Sequence, residues 1–415
     1  MKIAVVGLGF AGLRTMQLLE EAGHTVIGYE ARDRIGGRCH TVREGDVIYE
    51  AGGEWIDGDH QRVLDLMRRY GQEPRATPSS PRRLIFQGKE SDWDELWGNP
   101  EVRADIDRFD ARVASEIGKV AEPDSNLQQL IDESTFTEAG RWYLTAMYRS
   151  DEGDDLDRIG RNGWFRAYEN YVDREGGELS AFRFPRGASD ILERMAAEIH
   201  GPMHLSRPVT EISTSATGVH LVSAGETTEF DTVVVTVPGT ALPTLRVPSE
   251  ISESPLAQIP LARAIKITFL FRVRWWQREG WNGSLMYDGS LQQLWDGGFG
   301  EAAVLQAYVT GAAAEKWVTN PNGMQAATDA LLHQFPEAKE SHVETRINDW
   351  IGDPWAGGAF SYMPASFPSE WPVTFGRIYW AGETTAKWNG FIEGALESAE
   401  RVAQEIEACQ NHSRQ

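Results

Sequence analysis

Apolar residues run unbroken through Ile3-Ala4-Val5-Val6, the pattern of a strand buried on both faces. The spacing then turns helical at Leu13, Met16, Leu18 and Leu19, Gly23 ends that helix, and Val26-Ile27-Gly28-Tyr29 makes a second strand that closes on Glu30. Arg207–Ile212 reads as a strand, a hairpin-like pattern follows through Gly225, and Thr232–Pro238 reads as a buried strand closed by proline. Ala264–Phe271 alternates, so Ile265, Ile267, Phe269 and Phe271 share one face and Lys266 points the other way. Near the C-terminus, Ile392, Ala395, Leu396, Ala399, Val402, Ala403 and Ile406 fall on one apolar face of a helix. Residues 75–182 are only weakly periodic, with helical stretches.

The first turn carries the chemistry. Gly7-Leu8-Gly9-Phe10-Ala11-Gly12 is a full G-x-G-x-x-G between strand and helix. Gly7 permits the tight turn, Gly9 lets a pyrophosphate approach the backbone, and Gly12 lets the helix pack on the strand. The helix N-terminus offers free N–H groups to phosphate, and Glu30 stands where a carboxylate can accept ribose hydroxyls. Strand, turn, helix, strand and acid occur in order, which makes a dinucleotide site of Rossmann type; the motif alone does not choose between NAD and FAD.

The residues that follow make that choice by resemblance. Ala31-Arg32-Asp33-Arg34-Ile35-Gly36-Gly37-Arg38 resembles the R-x-x-x-G-G-R signature of the flavin-containing amine oxidase superfamily. Glu50-Ala51-Gly52-Gly53-Glu54-Trp55-Ile56 looks like its segment against the flavin ring, and Ala381-Gly382-Glu383-Thr384 like its A-G-E-x-T signature, followed by Gly390-Phe391-Ile392. The resemblance implies FAD held by Gly7, Gly9, Gly12, Glu30, Ala31, Arg32, Gly36, Gly37 and Arg38. It extends the set to Gly52, Gly53, Glu54, Trp55, Val209, Trp350, Gly382, Glu383, Gly390, Phe391 and Ile392. Paired glycines admit close backbone approach, and a guanidinium can hold phosphate through two parallel hydrogen bonds.

The same resemblance points to amine oxidation. The family carries a lysine at the position of Lys266 that holds a water beside flavin N5. Trp350 to Phe360 is similar to the family's W-x6-G-G-x-Y stretch, but phenylalanines, Phe360 and Phe391, stand where two tyrosines wall the site. Trp355 joins Lys266 and these rings as the expected catalytic set. Ala359 occupies the place of the cysteine that bonds the flavin in animal monoamine oxidases, so FAD is expected to be non-covalent. The implied reaction is hydride transfer from an amine to flavin N5, giving an imine that hydrolyses, with O2 reoxidising the flavin to yield H2O2.

The expected fold is α/β: a Rossmann-like FAD domain from 1–74, 190–264 and 366–412, interleaved with a substrate domain of mixed sheet and helices from 75–189 and 265–365. A net charge of −22 argues against nucleic acid. No run of about 18 apolar residues predicts a membrane span. Cys39 and Cys409 are the sole cysteines, without metal-site spacing, which with the absent signal peptide leads to an expectation of a soluble, cytoplasmic protein. The expected partners are a small-molecule amine and O2, with a homodimer compatible. Asp151-Glu152-Gly153-Asp154-Asp155 reads as a solvated loop, with an amine-attracting funnel as the alternative, and of fifteen tryptophans some are expected to line a pocket for aromatic or bulky apolar amines. The rivals are an L-amino-acid oxidase, which needs an arginine for the carboxylate that the sequence does not locate, a flavin desaturase of C–C bonds, and a non-catalytic flavin-bound protein.

Overall fold

The structure is a computed structural model that describes residues 1–77, 83–92, 95–96, 98–169, 178–364 and 373–413. Its first sheet has six strands in the order Met203–His204, Thr25–Tyr29, Lys2–Val6, Thr232–Val235, Ile378–Trp380 and Thr374–Phe375. All neighbours are parallel except the last pair, an antiparallel edge hairpin. Parallel strands must be covered on both faces. One face is covered by the helices Phe10–Glu21, Ala188–Ala197 and Ile392–Ser413, which bury Leu13, Met16, Ile191, Leu396, Val402 and Ile406 in one core with Ile3 and Val5. The other face takes the antiparallel meander Val209–Thr214, Val219–Ser223 and Glu226–Phe230, whose Val209, Ile212 and Phe230 pack on Ala4, Val233 and Val235. The strand at Thr232 stops at Val235, three residues before the proline expected to close it.

A second sheet has seven strands, in the order His342–Asn348, Ala264–Phe271, Ala303–Thr310, Gln293–Asp296, Leu285–Tyr287, Arg83–Phe86 and Lys89–Asp92. Ile265, Ile267, Phe269 and Phe271 bury one of its faces with Trp275, Trp276 and the helix Gly323–Gln334. Lys266 therefore emerges on the opposite face, beside its direct cross-strand partner Tyr308, which in turn pairs with Gln293.

The weakly periodic stretch holds the helices Pro100–Glu116, Leu127–Asp132, Glu138–Glu152 and Arg161–Tyr168 around a core of Phe109, Tyr143, Tyr148 and Trp164. The Asn99 side chain caps the first, accepting from the N–H groups of Glu101 and Val102, with proline as its first residue. The acidic run is not a solvated loop. Asp151 and Glu152 finish the helix Glu138–Glu152, and Asp154 is fully buried against Arg263, whose Nε and Nη2 both reach its carboxylate. A small third sheet places Trp55–Ile56 and Arg75–Ala76 on either side of Phe182–Arg183. The boundary expected between 365 and 366 lies outside the described residues.

Candidate active site

The glycine fingerprint folds as its chemistry requires. A Cβ on Gly12 would lie 1.9 Å from the Gly7 carbonyl oxygen, so only glycine lets the helix start this close to the strand. Gly9 and the pair Gly36-Gly37 face each other across the two glycine-rich turns with no atom closer than 3.7 Å to an added Cβ on Gly9 or Gly37, and Gly9 and Gly37 line one cavity of about 1060 Å³. Ordinary small-molecule pockets hold about 300–1,000 Å³, so this space suits a dinucleotide together with a substrate. Glu30 is buried at its rim, accepting from the N–H groups of Leu8 at 2.9 Å and Arg32 at 3.0 Å. Those bonds fix the carboxylate at the tip of the second strand and pin both turns to it.

Ala31, Arg32, Gly36, Arg38, Val209 and Ile392 line the same cavity; Gly12 lies behind it, as packing. The two arginines are held by acids far along the chain: Arg32 Nη2 reaches Asp353 at 2.7 Å and Arg38 Nη1 reaches Glu383 at 2.7 Å. Glu383 is a junction rather than a lone contact, since its second oxygen accepts from Ser361 Oγ at 2.5 Å and from the Gly390 N–H at 2.7 Å. Gly382 and Gly390 border the cavity next to it, and the Trp350 indole N–H donates to the Ala51 carbonyl. This knits the first signature loop, the C-terminal signature and the segment at Gly52 and Gly53 into one wall.

Lys266 sits where its strand aims it, in that same cavity. Its ammonium donates to the Gly52 carbonyl at 2.6 Å and to Glu54 Oε1 at 2.8 Å, with the Glu50 carbonyl at 3.4 Å. Glu54 Oε1 also accepts from the Trp295 indole at 3.0 Å, and its Oε2 lies 3.5 Å from Arg183 Nη1. Nearby, buried Glu50 accepts from Thr41 Oγ1 and the Ala188 N–H through a single oxygen, and burial raises its pKa to about 7. Three protein acceptors around the ammonium were not visible in the alternation that located it.

The rings expected as walls, Phe360, Phe391 and Trp355, all border the cavity, as do Trp164 and Trp295, whereas Trp275 and Trp276 are core. Phe391 packs edge-on against His60, and Phe360 lies against Gly153 and Gly390. Of the charged part of the lining, sequence reasoning offered the acidic run only as the alternative to a solvated loop, and it did not single out Arg75 or Arg183. Asp151 and Glu152 line the cavity near Tyr308, where desolvation raises their pKa values to about 7 and about 8. Arg75 and Arg183 line it near Trp55. The chain's Cys39 borders it too, with a thiol pushed up to about 12 by burial.

The nucleotide cradle and the lysine chamber form one space, which fits a dinucleotide-dependent oxidoreductase. The chain belongs to the flavin-containing amine oxidoreductase family, whose model matches residues 10–407. It is 25% identical to the amine oxidase [flavin-containing] B of Sus scrofa over 463 aligned residues, covering 97% of this chain and 85% of that protein. The fold is similar to cyclohexylamine oxidase from Brevibacterium oxydans IH-35A, with a TM-score of 0.83, 23% identity and coverage of 98% and 99% of the two chains. A putrescine oxidase solved with putrescine bound gives a TM-score of 0.83 at 22% identity, over 98% of this chain and 99% of that one. The enzyme is thus an amine oxidoreductase with FAD as its cofactor. Among the described residues, no helix is long and apolar enough to cross a membrane.

Proposed function

We propose that this chain oxidises a primary or secondary amine to an imine, which hydrolyses to an aldehyde or ketone, and that O2 takes the electrons onward as H2O2. When bound, FAD supplies the two-electron acceptor for the hydrogen and electron pair leaving the α-carbon. The observation that carries the reading is Lys266: a buried ammonium on the sheet face that shares one cavity with the glycine cradle and the aromatic walls. The cradle of Gly9, Glu30, Gly37, Arg32 and Arg38 would hold the cofactor, which divides the chain along its two large sheets into FAD-binding and substrate segments. Phe360, Phe391 and Trp355 would orient the amine by ring face and exclude water from the reacting carbon. Asp151 and Glu152, whose carboxyls ionise near neutral pH, would draw the cationic amine into the cavity.

The test is a peroxide screen of the FAD-loaded protein across primary, secondary and aromatic amines, with carbonyl and ammonia or amine release measured beside peroxide. Peroxide matched by carbonyl product supports amine oxidation. Peroxide with an alkene product instead points to the desaturase, and yellow protein silent toward every amine points to a flavin-bound protein without turnover.

A further inference from the structure

The register of the small three-stranded sheet sets three side chains in one row. Trp55 is the direct partner of Arg183, and Arg183 is the direct partner of Arg75, so all three project from the same face, and all three line the cavity. Like charges directly opposed on neighbouring strands repel, which makes an Arg–Arg pair here a cost to folding. Burial sharpens that cost, because Arg183 is only 4% exposed.

The neighbours neutralise the pair only in part. Arg183 Nη1 donates to the Asp296 carbonyl at 3.0 Å and only grazes Glu54, whose other oxygen is committed to Lys266 and Trp295. Arg183 Nε is buried without a hydrogen-bond partner among the described residues. Arg75 donates to the Gly298 carbonyl at 3.3 Å and has no carboxylate partner among the described residues. Two further acids line the cavity here among the described residues: Asp296, which already accepts from Arg274, Trp276 and the Gly298 N–H, and buried Asp57, which accepts from the Ser180 N–H. Among the described residues, the one carboxylate contact made by either Arg75 or Arg183 is thus Glu54, 3.5 Å from Arg183. A buried donor left unpaired costs free energy that a ligand acceptor can return.

We infer that the Trp55 side of the cavity is a carboxylate site formed by Arg183 and Arg75, and that the amine oxidised here is an amino acid. The inference rests on the amine-oxidation reading and narrows its substrate class. A guanidinium fork matches a carboxylate with two parallel hydrogen bonds, and the Trp55 ring beneath it, 5.1 Å from the Arg183 guanidinium carbon, holds the fork in plane. Glu54 joins this site to Lys266, so the carboxylate lies close to the ammonium that marks the reacting region. Asp151 and Glu152 reach the same region from the Tyr308 side, so a zwitterion meets cations with its carboxylate and carboxylates with its ammonium.

Two measurements on the FAD-loaded protein test this. The first compares kcat/KM for matched pairs, phenylalanine with 2-phenylethylamine and tryptophan with tryptamine. The second follows benzoate, a carboxylate without an amine, by the shift it causes in FAD absorbance. We expect the acid of each pair to be favoured at least tenfold, and R183M and R75M each to cut that ratio and weaken benzoate binding at least tenfold. R183K keeps the charge and loses the fork, so it too should weaken benzoate, which covers the case in which R183M does not fold. Benzoate that binds wild type in an Arg183-dependent way while no amine is oxidised would uphold the carboxylate site and remove the amine reading. Amines oxidised with no preference for the acid, together with benzoate binding equal in wild type and R183K, would overturn the carboxylate site and leave the amine reading standing.

Discussion

Lys266 and Glu54 form a buried ion pair at 2.8 Å, on the side of the cavity where the seven-stranded sheet meets the segment after Gly52 and Gly53. The lysine and its carboxylate come from elements 212 residues apart, and each has further partners, Gly52 and the Glu50 carbonyl for one, Trp295 and Arg183 for the other. The ammonium is therefore fixed in position before any substrate arrives.

That pairing changes what Lys266→Met should do. The methionine fills the space, but it strands the Glu54 carboxylate in a buried site, and breaking one side of such a pair costs about 3–5 kcal/mol. Arg183 at 3.5 Å offsets part of this. We expect urea unfolding to show a loss of about 3 kcal/mol in K266M, with part of it regained in K266M/E54Q, where no charge is left behind. Reoxidation of the reduced protein by O2 should slow at least tenfold in both variants, about 1.4 kcal/mol in barrier. Stability equal to wild type in K266M would mean the pair contributes nothing, and oxygen reactivity equal to wild type in the double variant would remove Lys266 from the chemistry.

FAD should be tightly held yet releasable. Ala359 stands where a linking cysteine would be needed, and the one cysteine that borders the cavity, Cys39, keeps its thiol protonated with a pKa of about 12. A thiol that does not ionise is a poor nucleophile toward a ring system. Acid or heat precipitation should leave the yellow chromophore in the supernatant. Colour remaining in the washed pellet would show a covalent bond, and C39S would then identify its site.

The first thirty residues were legible because their logic is local: strand, Gly7 turn, helix and Glu30 follow one another, and each spacing has a direct geometric meaning. The orientation of Lys266 was legible for the same reason, since alternation along one strand fixes a side. Arg183 was not, because its strand has two residues and no period can show in two. Its importance arises from register with Trp55 and Arg75, more than a hundred residues earlier in the chain. The acidic run misled for a related reason. Charges in sequence ordinarily signal solvent, yet Asp154 is buried by pairing with Arg263, 109 residues away, and Asp151 and Glu152 open onto the interior cavity.

Stability should fall with rising pH through Glu50. Its side chain is 1% exposed, and burial raises its pKa from the usual 4.5 to about 7. The folded protein thus holds a proton that the unfolded chain has lost between those two values. The stabilising contribution is complete below pH 4.5 and is lost as pH rises through 7, a change on the order of 3 kcal/mol. Glu50→Gln keeps the oxygen that accepts from Thr41 and Ala188 and cannot titrate. The gap in unfolding free energy between E50Q and wild type should therefore widen in favour of the variant from pH 5 to pH 8. An identical gap at both pH values would mean that Glu50 is ionised throughout.

Asp151 and Glu152 should make cation binding pH-dependent in the opposite sense. Desolvation at the cavity raises both, with Asp57 beside Asp151 and Asp151 beside Glu152 raising them further, and both sit at the C-terminal end of the helix Glu138–Glu152, where the helix dipole disfavours negative charge. Protonated at pH 6 and ionised by pH 9, they add negative charge to the cavity as pH rises through about 7 and about 8. Substrate amines titrate in their own right, so the clean probe is benzyltrimethylammonium, a cation that cannot lose a proton or be oxidised. Its inhibition constant should fall roughly tenfold between pH 6 and pH 9, the worth of about 1.4 kcal/mol of added attraction. D151N/E152Q should flatten that dependence while leaving weak binding through the aromatic walls. A constant unchanged by pH in the wild-type protein would mean that the two carboxyls do not titrate in this range, and an equal slope in the double variant would assign the titration to another group.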